Sequence, residues 1–93
     1  MIHNFKDKET AALFDRRFVK RFSGIEQSAY TRLQRLAAAQ TLGDIQAIPG
    51  NRLETLKGDR AGQYSIRVND QWRICFRWID GEGAHDVEIV DYH

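Results

Sequence analysis

The 93-residue sequence contains a single cysteine, a single proline and no long apolar run. With Cys75 alone, neither an internal disulfide nor a paired-cysteine zinc site is possible. No apolar stretch approaches the roughly 20 residues that cross a bilayer, and Met1 is not followed by the basic and apolar segments of a signal peptide. These absences favour a small protein that is made and used in the cytoplasm, with no membrane contact.

Positive charge is missing from one end of the chain, because residues 80–93 contain five acidic residues and no Lys or Arg. The net charge is nevertheless +1, so the remainder is mildly basic. Such a surface is compatible with a polyanionic partner, and equally with charges that are only solvated. A glycine-rich phosphate loop is absent, and His3, His85 and His93 lack the spacing of metal ligands. No metal and no cofactor are predicted.

The length fits a single domain that spans residues 1–93. Hydrophobic periodicity predicts an edge strand and two helices in the first half. These elements are Ile2–Phe5, Asp7–Lys20 and Ile25–Gln40. Asp7 is expected to cap the first helix, and Ser23 with Glu26 has the spacing of a capping box for the second.

The second half changes to the period-two alternation of strands. A short helical turn comes first, and three strands follow it. The expected ranges are Leu42–Ile48 for the turn, then Tyr64–Val68, Trp72–Trp78 and Ala84–Val90. The order is therefore β-α-α-β-β-β. It predicts an α+β fold with two helices packed on one face of a small, mainly antiparallel sheet.

Strand register decides which side chains share a face. A three-residue turn at Val68–Asp70 would pair Arg67 with Gln71 and Ile66 with Trp72. Apolar residues then segregate to the helix side, and the opposite face collects three arginines together with Tyr92. Those arginines are Arg67, Arg73 and Arg77. Either this face binds phosphate, for which arginine is well suited, or Glu88 and solvent neutralise it.

Two further polar segments lie near that face. Glu54 and Lys57 share a side if their segment is helical, where they form either a weak surface ion pair or a charged site. Asp91, Tyr92 and His93 follow the last strand and supply a phenol and an imidazole, the side chain that best suits proton transfer near neutral pH. By strand parity Tyr92 joins the arginines, whereas Asp91 points towards the helices.

Three stretches of the sequence resemble HigB-type toxins of the RelE/ParE superfamily. They are Pro49–Arg60, Gly62–Trp78 and Val87–His93, which together cover roughly two fifths of the chain. The resemblance implies a toxin of a type II toxin–antitoxin pair that enters the ribosomal A site and cuts mRNA. It also implies a helix-turn-helix antitoxin, HigA-like, and a toxin–antitoxin complex that binds operator DNA.

The resemblance also implies roles for individual residues. Arg73 matches an arginine that contacts the scissile phosphate, and Lys57 matches a basic residue near it. Asp91, Tyr92 and His93 match a catalytic triplet. Glu54 stands where some family members carry histidine, so either Glu54 or His93 is the general base.

The hypothesis for function is a metal-independent endoribonuclease in which the RNA 2′-OH attacks the adjacent phosphate. Arg67 and Arg77 are expected to bind RNA beside Lys57. Two alternatives use the same fold. One is a ParE-like poison of DNA gyrase, and the other is a non-catalytic RNA-binding module.

Overall fold

The computed structural model describes residues 1–92, so His93 lies outside the described residues. Within that range three α-helices precede a four-stranded sheet. The helices are α1 (Lys8–Phe14), α2 (Glu26–Ala38) and α3 (Leu42–Gln46), and the strands are β1 (Glu54–Thr55), β2 (Tyr64–Arg67), β3 (Trp72–Ile79) and β4 (Gly83–Asp91). Short 3₁₀ turns occupy Lys20–Phe22 and Gly58–Arg60.

The sheet has the order β1-β2-β3-β4, and every neighbouring pair of strands is antiparallel. The chain before α1 runs parallel to the free edge of β4, where Ile2 bridges Ala84 and Phe5 bridges Val87. The predicted edge strand is therefore present as two isolated bridges. The α+β class is confirmed, whereas β1 was not predicted because two residues are too few to show an alternating pattern.

Helix α1 begins as predicted but ends early. The Asp7 carboxylate accepts a hydrogen bond from the Thr10 backbone N–H at 3.1 Å. The helix stops at Phe14 instead of Lys20, since Arg16 adopts a left-handed conformation with φ 63° that no α-helix can accommodate. Phe18, which lies within the predicted helix but beyond its actual end, is consequently 75% exposed.

The capping box predicted at the start of α2 is wrong. Ile25 occupies the N-cap position without a side-chain hydrogen bond, and Glu26 accepts from the Gly24 backbone N–H instead. A capping box does form one helix later, where the side chains of Thr41 and Asp44 each accept from the other's backbone N–H. It opens α3 at the predicted helical turn.

The hydrophobic core lies between the helices and one face of the sheet. Helix α2 contributes Ala29, Leu33 and Leu36, which are almost completely buried. Opposite them the sheet buries aliphatic residues from three strands. These are Ile66, Ile74, Val87 and Ile89. The predicted segregation of apolar residues to the helix side is confirmed, and the sheet's other face is left for polar side chains.

The register between β2 and β3 differs from the prediction. Arg67 pairs with Arg73, and Ile66 pairs with Ile74. The turn is wider than expected because the Asn69 side chain accepts hydrogen bonds from the backbone N–H groups of Gln71 and Trp72, each at 2.8 Å. The shift is an even number of residues, so each side chain keeps its predicted face.

A β-bulge interrupts the pairing of β3 with β4 between Cys75 and Arg77. Opposite it Asp86 adopts a positive φ of 53°, and its carboxylate accepts from Arg77 Nε at 3.0 Å. Because Arg77 is bound by Asp86, the predicted cluster of three arginines is divided, and no feature of the sequence had indicated this bulge. No helix within residues 1–92 is long and apolar enough to cross a membrane.

Candidate active site

A polar groove of about 240 Å³ opens on the sheet face away from α2. Its lining comes from β1 and the chain just before it, the end of β2 and the turn that follows, β3, and the chain after β4. The lining residues are Arg52, Glu54, Arg67, Asn69, Asp70, Arg73 and Tyr92, and we call this the arginine groove. It unites four residues predicted from sequence, Glu54, Arg67, Arg73 and Tyr92. Arg52 and the two residues of the turn were not among the predicted site residues.

Arg73 is the most firmly held side chain in the arginine groove. Its Nε donates to Ser65 Oγ at 2.8 Å, and its Nη2 donates to the Arg52 carbonyl at 2.7 Å. The Glu54 carboxylate lies 3.7 Å from the same Nη2. The side chain is only 11% exposed, and within residues 1–92 no acceptor bonds to Nη1. The guanidinium is thus oriented by the protein and keeps one donor group for a ligand.

Strand pairing explains why Ser65 can orient Arg73. Ser65 is fully buried on β2, where it pairs with Glu54 of β1 on one side and Cys75 of β3 on the other. A hydroxyl at this central position can accept from the neighbouring arginine without water. The short strand β1 therefore contributes both the Glu54 carboxylate and one wall of the pocket around Ser65.

Arg52 enters the groove because Asn51 is fixed in the interior. Asn51 is 1% exposed, its Oδ1 accepts from Arg32 at 2.7 Å, and its Nδ2 donates to the Ile45 carbonyl at 3.1 Å. Its own carbonyl accepts from the Arg67 backbone N–H at 2.6 Å. The next residue, Arg52, is then forced into a left-handed conformation with φ 46°.

Positive charge is concentrated beside the arginine groove. Burial lowers the pKa of Arg32, and the neighbouring cations Arg35 and Arg67 lower it further. Arg67 in turn forms an exposed ion pair with Asp70 across the turn. Cations whose mutual repulsion is incompletely neutralised attract an anion such as phosphate.

Tyr92 closes the other side of the arginine groove. Its ring centroid lies 6.0 Å from Arg73 Cζ, and its side chain is 40% exposed. Its backbone N–H donates to the Gln71 carbonyl at 2.6 Å. The sequence-based placement of Tyr92 on the face of Arg67 and Arg73 is confirmed. An exposed phenol at this distance leaves space for a planar group to enter beside the guanidinium.

Asp91 and Lys57 do not line the arginine groove. Asp91 pairs with Trp72, a core residue, which agrees with the parity argument that puts Asp91 on the helix side of the sheet. Its Oδ2 accepts from Gln71 Nε2 at 3.1 Å, a contact that the sequence did not predict. Lys57 is exposed just before the Gly58–Arg60 turn. The helical spacing that placed it beside Glu54 is wrong, because Glu54 belongs to a strand.

Arg77 and Glu88 also have partners outside the arginine groove. Arg77 pairs with Asp86, as described above. Glu88 accepts from Arg60 Nη1 at 2.7 Å, and this hydrogen bond raises the pKa of Arg60. The negative charge of Glu88 therefore neutralises Arg60, and not Arg73 as the prediction had allowed. The predicted role of His93 falls on a residue outside the described range.

Comparison with known proteins identifies the family. Residues 3–93 match the family described as the RelE-like toxin of the type II toxin–antitoxin system HigB. The chain belongs to the HigB-like toxin family. It is 42% identical over 83 residues to the toxin HigB-1 of Vibrio cholerae, an alignment that covers 87% of each chain. It is 36% identical over 96 residues to the endoribonuclease HigB of Proteus vulgaris, covering 100% of both.

A solved structure supports the fold. The YoeB-YefM complex from Staphylococcus aureus contains a chain that superimposes with a TM-score of 0.62, covering 100% of this chain and 95% of that one. The sequence identity is 19%, so this likeness concerns the fold alone. Family membership makes this HigB-type chain the toxin of a toxin–antitoxin pair, with an antitoxin as its partner.

Proposed function

We propose that this HigB-type toxin is an endoribonuclease that cuts mRNA in the ribosomal A site, and that the arginine groove receives the scissile phosphate. The observation that carries the proposal is the geometry of Arg73, whose guanidinium is oriented by Ser65 and the Arg52 carbonyl. The name of the Proteus vulgaris relative, endoribonuclease HigB, supports the activity. An arginine fixed before the substrate arrives can stabilise charge without reorganising during the reaction.

The proposed reaction needs no metal. A base removes the proton of the RNA 2′-OH, the 2′-oxygen bonds to phosphorus, and the bond from phosphorus to the 5′-oxygen breaks while an acid protonates that oxygen. The products are a 2′,3′-cyclic phosphate and a 5′-hydroxyl. Arg73, assisted by Arg67, stabilises the additional negative charge on the phosphate oxygens.

The other residues that were predicted for the site have supporting roles in the proposed reaction. Tyr92 orients the nucleotide by stacking or by hydrogen bonding beside Arg73. Lys57 and Arg77, both exposed, contact the RNA backbone from outside the arginine groove. Asp91 acts indirectly, by fixing the chain next to Tyr92 through its hydrogen bond from Gln71.

The general base is either Glu54 or His93. Glu54 is favoured by its place in the arginine groove, with its carboxylate 3.7 Å from Arg73 Nη2 and 57% of its side chain exposed. Rate–pH profiles of Glu54→Gln and His93→Gln separate the two assignments, because removal of the base abolishes the rise in rate with pH. If both variants keep that rise, neither residue is the base.

The direct test uses the purified toxin, programmed ribosomes and end-labelled mRNA. We expect cleavage within the A-site codon, products that end in 2′,3′-cyclic phosphate, and an unchanged rate with a zinc-selective chelator that leaves ribosomal Mg²⁺ in place. RNA binding without cleavage would support the non-catalytic alternative. Intact mRNA together with gyrase-dependent DNA breaks would support the ParE-like alternative.

For the partner we propose a helix-turn-helix antitoxin of the HigA type, and operator binding by the complex instead of the toxin alone. The proposal rests on family membership and on a net charge of only +1, which is low for an independent DNA-binding protein. Gel-shift assays with operator DNA should detect binding by the toxin–antitoxin complex and by the antitoxin, but not by the toxin. A shift with the toxin alone would contradict this proposal.

Because the proposed substrate is mRNA on the ribosome, we also propose that the toxin acts in the cytoplasm.

A further inference from the structure

The opposite end of β4 from Tyr92 holds a second cluster of polar side chains. His3, Glu82 and His85 each offer one ligand atom, and these atoms lie within 4.8 Å of one another. His3 is about eighty residues from Glu82 and His85 in the sequence, which is why the spacing of the histidines gave no metal signal. We propose that these three residues bind a zinc ion, or another divalent transition metal of similar preference, and that the ion clamps the N-terminal segment onto the sheet.

The geometry is close to that of a bound zinc ion. Glu82 Oε1 lies 3.0 Å from His85 Nε2, and the rings of His3 and His85 are stacked with centroids 4.3 Å apart. Zinc bonds of about 2.0–2.2 Å in a tetrahedral arrangement separate ligand atoms by roughly 3.3–3.5 Å. Because His3 and Glu82 are exposed, rotation of their side chains is enough to bring all three ligands into range.

His85 supplies the observation that points to a ligand. Its side chain is only 10% exposed, and Nε2 is buried without a hydrogen-bond partner among residues 1–92. Glu82 lies within 3.0 Å of this nitrogen without forming a hydrogen bond to it. A buried nitrogen that forms no hydrogen bond is costly, and a cation between it and the Glu82 carboxylate would satisfy both groups.

The backbone around the cluster is firmly held. The His3 N–H donates to the Ala84 carbonyl, and the Ala84 N–H donates to the Met1 carbonyl, each at 2.7 Å. Gly83, with φ +107°, allows this close approach, because a Cβ there would lie 2.2 Å from the Met1 oxygen. The two histidines are therefore brought together by main-chain bonds that do not depend on a metal.

The nature of the ligands selects the ion. Two imidazoles and one carboxylate suit Zn²⁺ and its transition-metal neighbours, whereas Mg²⁺ prefers oxygen ligands and water. Three protein ligands leave a fourth position for water.

The site is distant from the arginine groove. Seven residues of strand separate His85 from Tyr92, which is roughly 23 Å at about 3.3 Å per residue. The ion would therefore stabilise the fold and take no part in cleavage. This proposal is independent of the proposed function.

Isothermal titration of the full 93-residue chain, without an affinity tag, tests the site with ZnCl₂. We expect one equivalent to bind, MgCl₂ to give no heat, and His3→Gln or Glu82→Gln to weaken binding by about tenfold or more. Glu26→Gln is the matched control, an exposed glutamate on α2 that should leave binding unchanged. His93→Gln should also retain it. Absent binding, or binding that survives both ligand substitutions or disappears in His93→Gln, would overturn the proposal.

Thermal unfolding provides a second measurement that does not depend on activity. Zinc at about one hundred times its Kd should raise Tm by roughly 10–20 °C, and the rise should vanish in His3→Gln. Since His3 is exposed, this variant should fold even if substitution of buried His85 prevents folding. An equal rise in wild type and His3→Gln would count against the site.

Discussion

The two ends of the β3–β4 pair use similar residues in different ways. Arg73 and Arg77 lie four positions apart on β3. Arg73 is 11% exposed and is oriented by a hydroxyl and a carbonyl, with the nearest carboxylate at 3.7 Å. Arg77 is 50% exposed and donates directly to the Asp86 carboxylate at 3.0 Å. The first guanidinium is presented to a ligand, whereas the second is largely neutralised within the protein.

Different local causes produce these two environments. Near Arg73 the regular pairing of β2 with β3 brings Ser65 within reach. Near Arg77 the β-bulge turns β4, and the Asp86 carboxylate meets the guanidinium. Asp86 is itself held by Asn4, whose Nδ2 donates to the Asp86 carboxylate and whose Oδ1 accepts from the Asp86 backbone N–H. An arginine's place on a strand face is therefore insufficient evidence of a binding role, because the acceptors around it decide whether it can take a ligand.

The largest expected effect tests this contrast directly. Arg73→Ala should reduce the mRNA cleavage rate by about 10²–10³-fold, because it removes an oriented donor to the charged phosphate. Arg77→Ala should reduce it only a few-fold, with a smaller salt dependence of binding. Both rates are measured on programmed ribosomes, with far-UV circular dichroism as the control for folding. Equal losses in the two variants would mean that Arg73 and Arg77 contribute alike to cleavage.

The next largest effect is expected at Asn51, which fixes the backbone beside the arginine groove. Asn51→Ala should lower the free energy of unfolding by about 2–3 kcal/mol, because it leaves Arg32 and a buried carbonyl without their partner. It should also slow cleavage, since Asn51 positions Arg52 and its carbonyl acceptor for Arg73.

Gly83→Ala is the matched change at the other end of β4. It should destabilise the fold through its clash with the Met1 carbonyl while cleavage at a permissive temperature remains normal. Denaturant unfolding and cleavage rates of both variants provide the measurement. A cleavage defect in Gly83→Ala as large as that in Asn51→Ala would show that the two ends are coupled.

Face assignments were predictable from the sequence, because alternation in β3 and β4 depends only on parity. That rule puts Ile66 and Ile74 on the face packed against the helices, and Arg73 and Tyr92 on the opposite face. Register was not predictable, since it depended on the Asn69 side chain accepting two backbone N–H groups in the turn. The wrong register still gave the correct faces because the error was an even number of residues.

The candidate site was only partly predictable for a related reason. Arg52, Ser65 and Asn51 act through contacts between segments that are distant in sequence, and periodicity carries no information about such contacts. The pairing of Arg77 with Asp86 required a bulge, and the meeting of His3 with His85 required the parallel bridge to β4. The family resemblance identified Arg73 and Tyr92, but it could not show which groups orient them.

A smaller effect should separate backbone strain from charge at Arg52. Glycine accepts the left-handed φ of 46°, whereas alanine retains the steric cost of Cβ. Arg52→Gly should therefore be more stable than Arg52→Ala by up to about 1 kcal/mol. Both should slow cleavage equally, because each removes the same guanidinium from the arginine groove. Unequal cleavage would mean that the backbone at residue 52 controls the Arg73 contact.

The smallest effect is expected at Cys75, which lies on β3 between the two arginines. Burial raises the pKa of this thiol above its ordinary value of 9.0, although Arg60 and Arg73 oppose the shift. Because the folded-state pKa exceeds the unfolded one, the contribution to stability is complete below pH 9 and is lost as pH rises through the folded value. Unfolding free energies measured from pH 8 to 10 should therefore fall more steeply for wild type than for Cys75→Ala. The other titrating groups are common to both proteins, so parallel curves would mean that the thiol ionises as readily in the folded chain as in the unfolded one.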